Sequence, residues 1–132
     1  MMTRAGRLTN NRDFTRVYRK GTWKRGRFIG LHFLKHRGRY ASGSARVGFT
    51  VNRSLKNAVE RNRMKRLLRE AFRLSQLIIM PGVDMVVSGR WKKESEPRLP
   101  DLIDELQKLI TEAGIGSIAS PCEKNISENN LD

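Results

Sequence analysis

The sequence predicts an α+β domain in which helices pack on a small sheet, and three features of the chain lead there. "FIGLHFLK" (28–35) and "ARVGFTVN" (45–52) alternate apolar and small or polar residues with period two, as strands do. A long segment of helical period follows them, and after it a third strand-like run, "VDMVVSGR" (83–90). The length of 132 residues suits one ordinary core. The order helix, strands, helix, strand, helix is that of an α+β sandwich with a strand-helix-strand unit over residues 45–90.

Element by element, Asn10 to Lys20 reads as a short helix: Phe14, Val17 and Tyr18 stand at i, i+3, i+4 and Gly21 is a stop. In the two strands that follow, one face collects Ile29, Leu31, Phe33, Val47, Phe49 and Val51. The opposite face collects Gly30, His32, Arg46, Gly48, Thr50 and Asn52, a small and polar set expected to be uncovered or only partly covered. Between the strands, "RGRYASGS" (37–44) reads as a loop that could close them into a hairpin. Asn57 with Glu60 three residues on is a capping-box-like start, so one long helix is expected from there to just before Pro81-Gly82. Its core stripe is Met64, Leu67, Leu68, Ala71, Ser75 and Ile78. Arg98 to Ala113 reads as an acidic amphipathic helix, with Leu102, Ile103, Leu106, Leu109 and Ile110 inward and Asp101, Asp104 and Glu105 outward. Residues 1–113 are thus expected to form the domain and 114–132 a disordered tail.

Charge narrows the function. The chain carries 27 Lys+Arg against 13 Asp+Glu, a formal net charge of +14. The imbalance is confined to the first two thirds: residues 1–93 hold 24 basic and 4 acidic groups, residues 94–132 hold 3 and 9. A polyanion partner for the first two thirds is the leading expectation. No apolar run approaches the roughly 18 to 20 residues of a membrane span, and the N-terminal stretch lacks the apolar middle of a signal peptide, so a cytoplasmic protein is expected. The single cysteine, Cys122, can form neither an internal disulfide nor a metal cluster.

The densest charge lies in "NAVERNRMKRLLREAFRL" (57–74). Arg61, Lys65, Arg69 and Arg73 follow at i, i+4 as a cationic ridge, with Asn62 and Arg66 beside it on the outward face. Like charges at that spacing cost an isolated helix roughly 0.2 to 0.5 kcal/mol per pair, and only Glu60 and Glu70 are nearby in sequence to offset it. Phosphates would complete such a ridge; the plain alternative is a solvated face of a basic protein.

This segment resembles the signature of the bacterial ribonuclease P protein component, with the Arg61-Asn62-Arg63 core, Lys65-Arg66 and Arg69. "RLTNNRDFTRVYRKGT" (7–22) is similar to that family's N-terminal helix, and "ARVGFTV" and "VDMVVSGR" to its later strands, so the likeness runs in order over about residues 7 to 113. The resemblance implies a compact two-layer αβββαβα sandwich with a small mixed sheet, a further short strand near Thr22 to Lys24, and an unusual left-handed strand-helix-strand crossover. It implies the protein subunit of a ribonucleoprotein that removes the 5′ leader of precursor tRNA. Arg61, Asn62, Arg63, Lys65, Arg66, Arg69 and Arg73 would then meet the catalytic RNA. Phe14, Tyr18, Gly30, His32, Arg53 and Lys56 would form a cleft for the leader, whose bases can stack on aromatic rings. Phe14 and Tyr18 could equally pin the helix to the sheet. Two positions depart from the family pattern: His32 stands where some members carry tyrosine, and Arg53-Ser54-Leu55-Lys56-Asn57 replaces a pair of lysines before Gly-Asn.

A protein nuclease needs clustered metal-binding carboxylates or an acid and base flanking one phosphate. Asp13, Asp84 and Asp101 are scattered, and His32 and His36 would stand about 13 Å apart along a strand at roughly 3.3 Å per residue. The expected role is therefore non-catalytic, with Mg²⁺ held mainly by the RNA and activating water there, as the resemblance implies. An RNA-binding protein of the ribosome or a chaperone-like basic protein is the rival reading, and a self-sufficient nuclease a third.

Overall fold

The computed structural model of the chain describes residues 5–36, 43–51 and 57–119. Its elements in chain order are β1 (Gly6–Arg7), α1 (Asn11–Lys20), β2 (Thr22–Arg25), β3 (Ile29–Lys35), β4 (Arg46–Val51), α2 (Ala58–Leu74), β5 (Leu77–Ile79), β6 (Val83–Gly89), α3 (Leu99–Ala113) and β7 (Gly116–Ile118). The αβββαβα order is present within a mixed α+β fold, and the short strands β1, β5 and β7 are additions to it.

The main sheet runs β1-β4-β6-β3-β2, with β1, β4 and β6 parallel and β3 and β2 antiparallel. The hairpin expected between 28–35 and 45–52 is therefore not formed, because β6 lies between β3 and β4. β6 takes the centre since it is covered on both faces: Val83, Met85 and Val87 face one side, and on the other Val86, flanked by Asp84 and Ser88, lies under α1, all four valine and methionine side chains nearly inaccessible. On the first side Ile29, Leu31, Phe33 and Val47 meet Met64, Leu68 and Ala71 of α2 and Leu102, Leu106, Leu109 and Ile110 of α3. Each such fully buried Leu or Ile contributes roughly 1.5 to 3 kcal/mol, so this is where most of the stability resides. On the second side, α1 covers only part of the sheet, where Val17 packs on Val86 and Leu8 with Phe14 and Leu34 adjoining.

Asn10 and Asn57 cap α1 and α2, each accepting a hydrogen bond at 2.8 Å from the backbone N–H two residues on, Arg12 and Val59. α2 stops at Leu74 rather than continuing to Pro81. Ser75 closes it by bonding Ala71 O and Phe72 O, and Gln76 turns the chain with φ 55. Ile78, assigned above to the helical stripe, belongs instead to β5. The domain likewise continues beyond residue 113. Gly114, at φ 74, ends α3 in the left-handed conformation that glycine adopts without a Cβ penalty. Ile115 is then fully buried, and Gly116–Ile118 pairs antiparallel with Leu77–Ile79. Residues 116–118 are thus strand rather than tail, while 120–132 lie outside the described residues. Glu105 also departs from its expected outward position: one carboxylate oxygen accepts from the backbone N–H of both Phe28 and Ile29 at 2.8 Å, fastening the β2–β3 turn to α3.

At one end of the second face lies a partly buried ion network around Asp84. Arg46 on β4 donates from Nε and Nη2 to the two oxygens of Asp84 on β6, at 2.9 and 2.7 Å, and from Nη1 to Asp13 of α1 at 3.1 Å. His36 Nε2 lies 2.7 Å from Asp84 Oδ2. Burial pushes the Asp84 carboxyl up, but hydrogen bonds and charge from Arg46 and His36 outweigh it and hold the group below the usual range. A carboxylate depressed in the folded state stabilises above its unfolded value and loses that contribution as pH falls through the folded one. Asp84→Asn is therefore expected to lower stability at neutral pH by about 1.5 to 3 kcal/mol. Its stability should also fall less than the wild type's as pH is lowered through the acid range, measured by urea denaturation. Parallel pH profiles for the two proteins would contradict this.

Candidate nucleic-acid interface

The part of the second face that α1 leaves open becomes a groove. Its walls are α1 and the segment before it (Leu8, Phe14, Tyr18), β4 (Gly48, Thr50) and α2 (Lys65, Arg69), and its volume is about 810 Å³. The alternation of β4 supplies a floor without bulk. A Cβ at Gly48 would run into the ring of Phe14 and lie 3.0 Å from Leu8 O, so only glycine lets α1 lie this close to the strand. Phe14 therefore both packs on the sheet and lines the groove. Tyr18 is 42% exposed; its hydroxyl lies 3.4 Å from Thr50 Oγ1, and Thr50 lies 3.0 Å from the Ser88 hydroxyl.

His32 is the middle of an aromatic row. Tyr18 meets it edge-on at 4.6 Å between centroids, and Trp23, its partner across the β2–β3 ladder, stacks on it at 5.8 Å and 26°. Burial, and then the charge of Arg90, hold its imidazole below its ordinary value and so favour the neutral ring. Its Nδ1 is buried without a hydrogen-bond partner among the described residues. Gly30 is buried beneath its neighbours rather than presented to the groove: Trp23 Nε1 and Arg90 Cδ lie 3.1 and 3.3 Å from where its Cβ would be. Arg53 and Lys56 lie outside the described residues.

The arginine helix does not offer a single surface. Lys65 and Arg69 stand in the wall of the aromatic groove, although both were grouped above with the catalytic-RNA contacts. Arg63 and Arg66 border a separate depression on another flank with Leu67, Glu70 and Glu96. There Glu96, from the segment before α3, takes Arg63 in a two-pronged bond with both distances 3.1 Å, and Glu70 grips Arg73 at 3.2 and 2.6 Å. Those bonds hold both guanidinium groups above, and Glu70 below, their ordinary values. All are solvent-exposed pairs, which water and salt weaken, so a phosphate can displace the carboxylates at small cost. Asn62 is exposed on the same helix.

Sequence reasoning missed Trp23, Arg90, Ser88 and Glu96. The alternation of β2 carried a signal for Trp23, because an edge strand beside β3 must put every second residue on the face of His32. Nothing local pointed to Glu96.

An arginine-rich helix beside a groove of aromatic rings is common to several RNA-binding architectures, and sequence comparison separates them. The family description "Ribonuclease P" matches residues 2–114. The chain belongs to the ribonuclease P protein family. Among its relatives, the ribonuclease P protein component of Roseiflexus castenholzii is 37% identical over 127 residues, covering 94% of this chain and all of that one. That of Pelotomaculum thermopropionicum is 35% identical over 108 residues, covering 82% and 92%. Among solved structures, the RNase P protein of Staphylococcus aureus superposes with a TM-score of 0.64 at 26% identity, covering 84% of this chain and 97% of that one. The RNase P protein of Thermotoga maritima gives 0.61 at 26% identity, with 80% and 96% covered. The mixed α+β architecture is thus the one found in ribonuclease P proteins.

Gly48→Ala tests the packing that shapes the groove. Overpacking Phe14 should cost about 1 to 3 kcal/mol, read as a lower thermal midpoint. The double variant with Phe14→Leu should recover part of it. An unchanged midpoint in the single variant would mean that α1 does not rest on β4 as described.

Proposed function

We propose that this chain is the protein subunit of a ribonuclease P holoenzyme. It binds the catalytic RNA and the 5′ leader of precursor tRNA and assists endonucleolytic removal of the leader, while the RNA carries the phosphodiester hydrolysis. The observation that supports this reading best is the single groove that joins two aromatic side chains, Phe14 and Tyr18, to two cations, Lys65 and Arg69. Single-stranded RNA needs that pairing: bases stack on rings while the backbone follows positive charge. Lys65 and Arg69 accordingly meet leader phosphates, and Arg63, Arg66 and Arg73, with Arg61 and Asn62, meet the catalytic RNA. His32 supports the rings on either side of it.

Mg²⁺ belongs to the RNA in this proposal. The described carboxylates Asp13, Asp84, Glu70 and Glu96 are engaged with arginines and Glu105 with backbone N–H groups, and no three His, Cys, Asp or Glu among the described residues converge on a possible metal position. No helix among those described is long and apolar enough to cross a membrane; a cytoplasmic place beside the RNA subunit follows from the proposed partner.

Reconstitution with a bacterial ribonuclease P RNA, precursor tRNA and Mg²⁺ should give cleavage at the mature 5′ end only when the RNA is present, with the protein helping most at low Mg²⁺. Cleavage by the protein alone would overturn the proposal. Within the reconstituted system, Tyr18→Ala should weaken precursor tRNA by roughly 5- to 100-fold, the worth of one stacked base, and leave mature tRNA unchanged. Arg66→Ala should instead weaken assembly with the RNA and flatten its salt dependence by somewhat less than one unit of log-log slope. Equal loss of precursor and mature tRNA by a folded Tyr18→Ala variant would remove the leader from this groove.

A further inference from the structure

The two flanks of α2 differ in a way that their cations alone do not explain. On the groove side, Lys65 and Arg69 stand with Phe14, Tyr18 and Thr50, and no carboxylate is among the described lining residues. On the other side, Arg63, Arg66 and Glu70 follow a stripe of the helix that continues to Arg73, and Glu96 reaches it from outside. The depression there holds about 400 Å³ and has both Glu70 and Glu96 in its lining. Residues 1–93 contain 4 acidic groups against 24 basic ones, so a carboxylate is scarce in the part of the chain that forms α2. This flank holds one of the four and receives another from the segment before α3.

Glu96 is firmly placed. It precedes Pro97, which favours an extended backbone there, observed at ψ 126, and a turn of 3-10 helix over Lys93–Ser95 leads into it. Trp91 and Pro97 are buried, so the short segment that carries Glu96 is fastened on both sides of it. Glu96 thus forks Arg63 and Glu70 forks Arg73, whereas Arg66, between those two arginines along the stripe, pairs with neither carboxylate. An anion that approaches Arg66 meets two negative groups at once. The side chains of Arg63 and Arg73 are 72% and 62% exposed, so each pair is weak and can be exchanged. A phosphate that takes either arginine leaves beside it an ionised carboxylate, which can only accept hydrogen bonds.

We infer that Glu96 and Glu70 make this flank selective among RNAs: they oppose an RNA that brings only backbone phosphates to Arg63, Arg66 and Arg73, and admit one that also sets hydrogen-bond donors against the carboxylates. RNA carries such donors in its 2′-hydroxyls and in the amino groups of its bases. Specificity is a difference of affinities, and like charge placed against the wrong partner produces it. The RNA that fits is a folded one, whose sugar and base edges are fixed in space. The inference rests on the reading that this flank meets the catalytic RNA, and it adds how that RNA is told from others.

The test compares the full chain with Glu96→Gln, Glu70→Gln and the double variant. Each is titrated with a bacterial ribonuclease P RNA and with an unrelated structured RNA of equal length, over a range of salt. Glu112→Gln is the charge control, because Glu112 pairs with Lys24, away from α2. Each substitution on the flank should tighten the unrelated RNA by roughly 1.5- to 5-fold, the worth of an exposed ion pair, and leave ribonuclease P RNA unchanged. The ratio of the two affinities should therefore fall, by more than in Glu112→Gln, and the fall should shrink as salt screens the carboxylates. A constant ratio, whether both RNAs gain or neither does, would overturn the inference and make the two carboxylates ordinary surface charge. A ratio that falls only because ribonuclease P RNA binds more weakly would also overturn it, since Glu96 and Glu70 would then serve to position Arg63 and Arg73. Arg66→Ala separates the two levels. If it leaves assembly with ribonuclease P RNA unaffected, the reading of this flank has itself failed; if it impairs assembly while the ratio stays constant, only the selectivity is lost.

Discussion

Much of this molecule depends on one contact, the fork of the half-buried Arg46 on the buried Asp84. The two residues are register partners on β4 and β6, so their ion pair sets which residues lie side by side along the whole parallel ladder: Gly48 with Val86, Thr50 with Ser88. A slip of one residue would exchange the two faces of β4, sending Val47 and Phe49 toward α1 and Arg46 into the core. The third prong of Arg46 reaches Asp13 and so ties the start of α1 to the same point. From that anchor α1 crosses the sheet, Phe14 over Gly48, Val17 on Val86, Tyr18 beside Thr50. The groove is what remains of the face after that crossing.

The two faces of the sheet divide the work. One is a large-residue face packed by α2 and α3, and it provides the cohesion. The other is built from Gly48, Thr50, Ser88 and Gly30, residues that contribute little packing energy and leave space. α2 serves both: Met64, Leu68 and Ala71 enter the core, while Lys65 and Arg69, one position on from two of them, stand over the groove. The cations of the groove are positioned by apolar packing on the other side of the same helix. Since rigid elements hold them, little ordering of the protein is required when RNA arrives.

The parts of this structure legible in the sequence were those with a local period. α1, β3, β4, β6 and α3 appear within a residue or two of where alternation or helical spacing put them. Ile78 misled because a β-branched residue at that spacing fits the stripe of α2 as well as a strand, and the left-handed turn at Gln76 has no glycine to announce it. β7 is three residues long and becomes a strand only because β5 is there to pair with. The hairpin expectation failed for a related reason: adjacency in sequence favoured β3 with β4, whereas β6, buried on both faces, wins the place between them. In the candidate site, the rings of α1 and the charges of α2 could be named from residue type alone. Their distribution over two flanks, the capture of Arg63 by a carboxylate 33 positions away and the stacking of Trp23 on His32 are tertiary facts.

The central place of β6 also governs how the chain can be assembled. Neither β3 nor β4 has its inner neighbour until residues 83–89 have been made, and both pair with that one strand over long separations in sequence. During synthesis, then, the first eighty residues emerge as two separate strand pairs, β1 with β4 and β2 with β3, without the strand that joins them, and they bear most of the positive charge. Such a nascent segment folds late because closing long loops must precede its native contacts, and its unpaired edges remain open meanwhile. Truncation just before β6 would leave every one of the earlier elements in the chain and none of the sheet's centre.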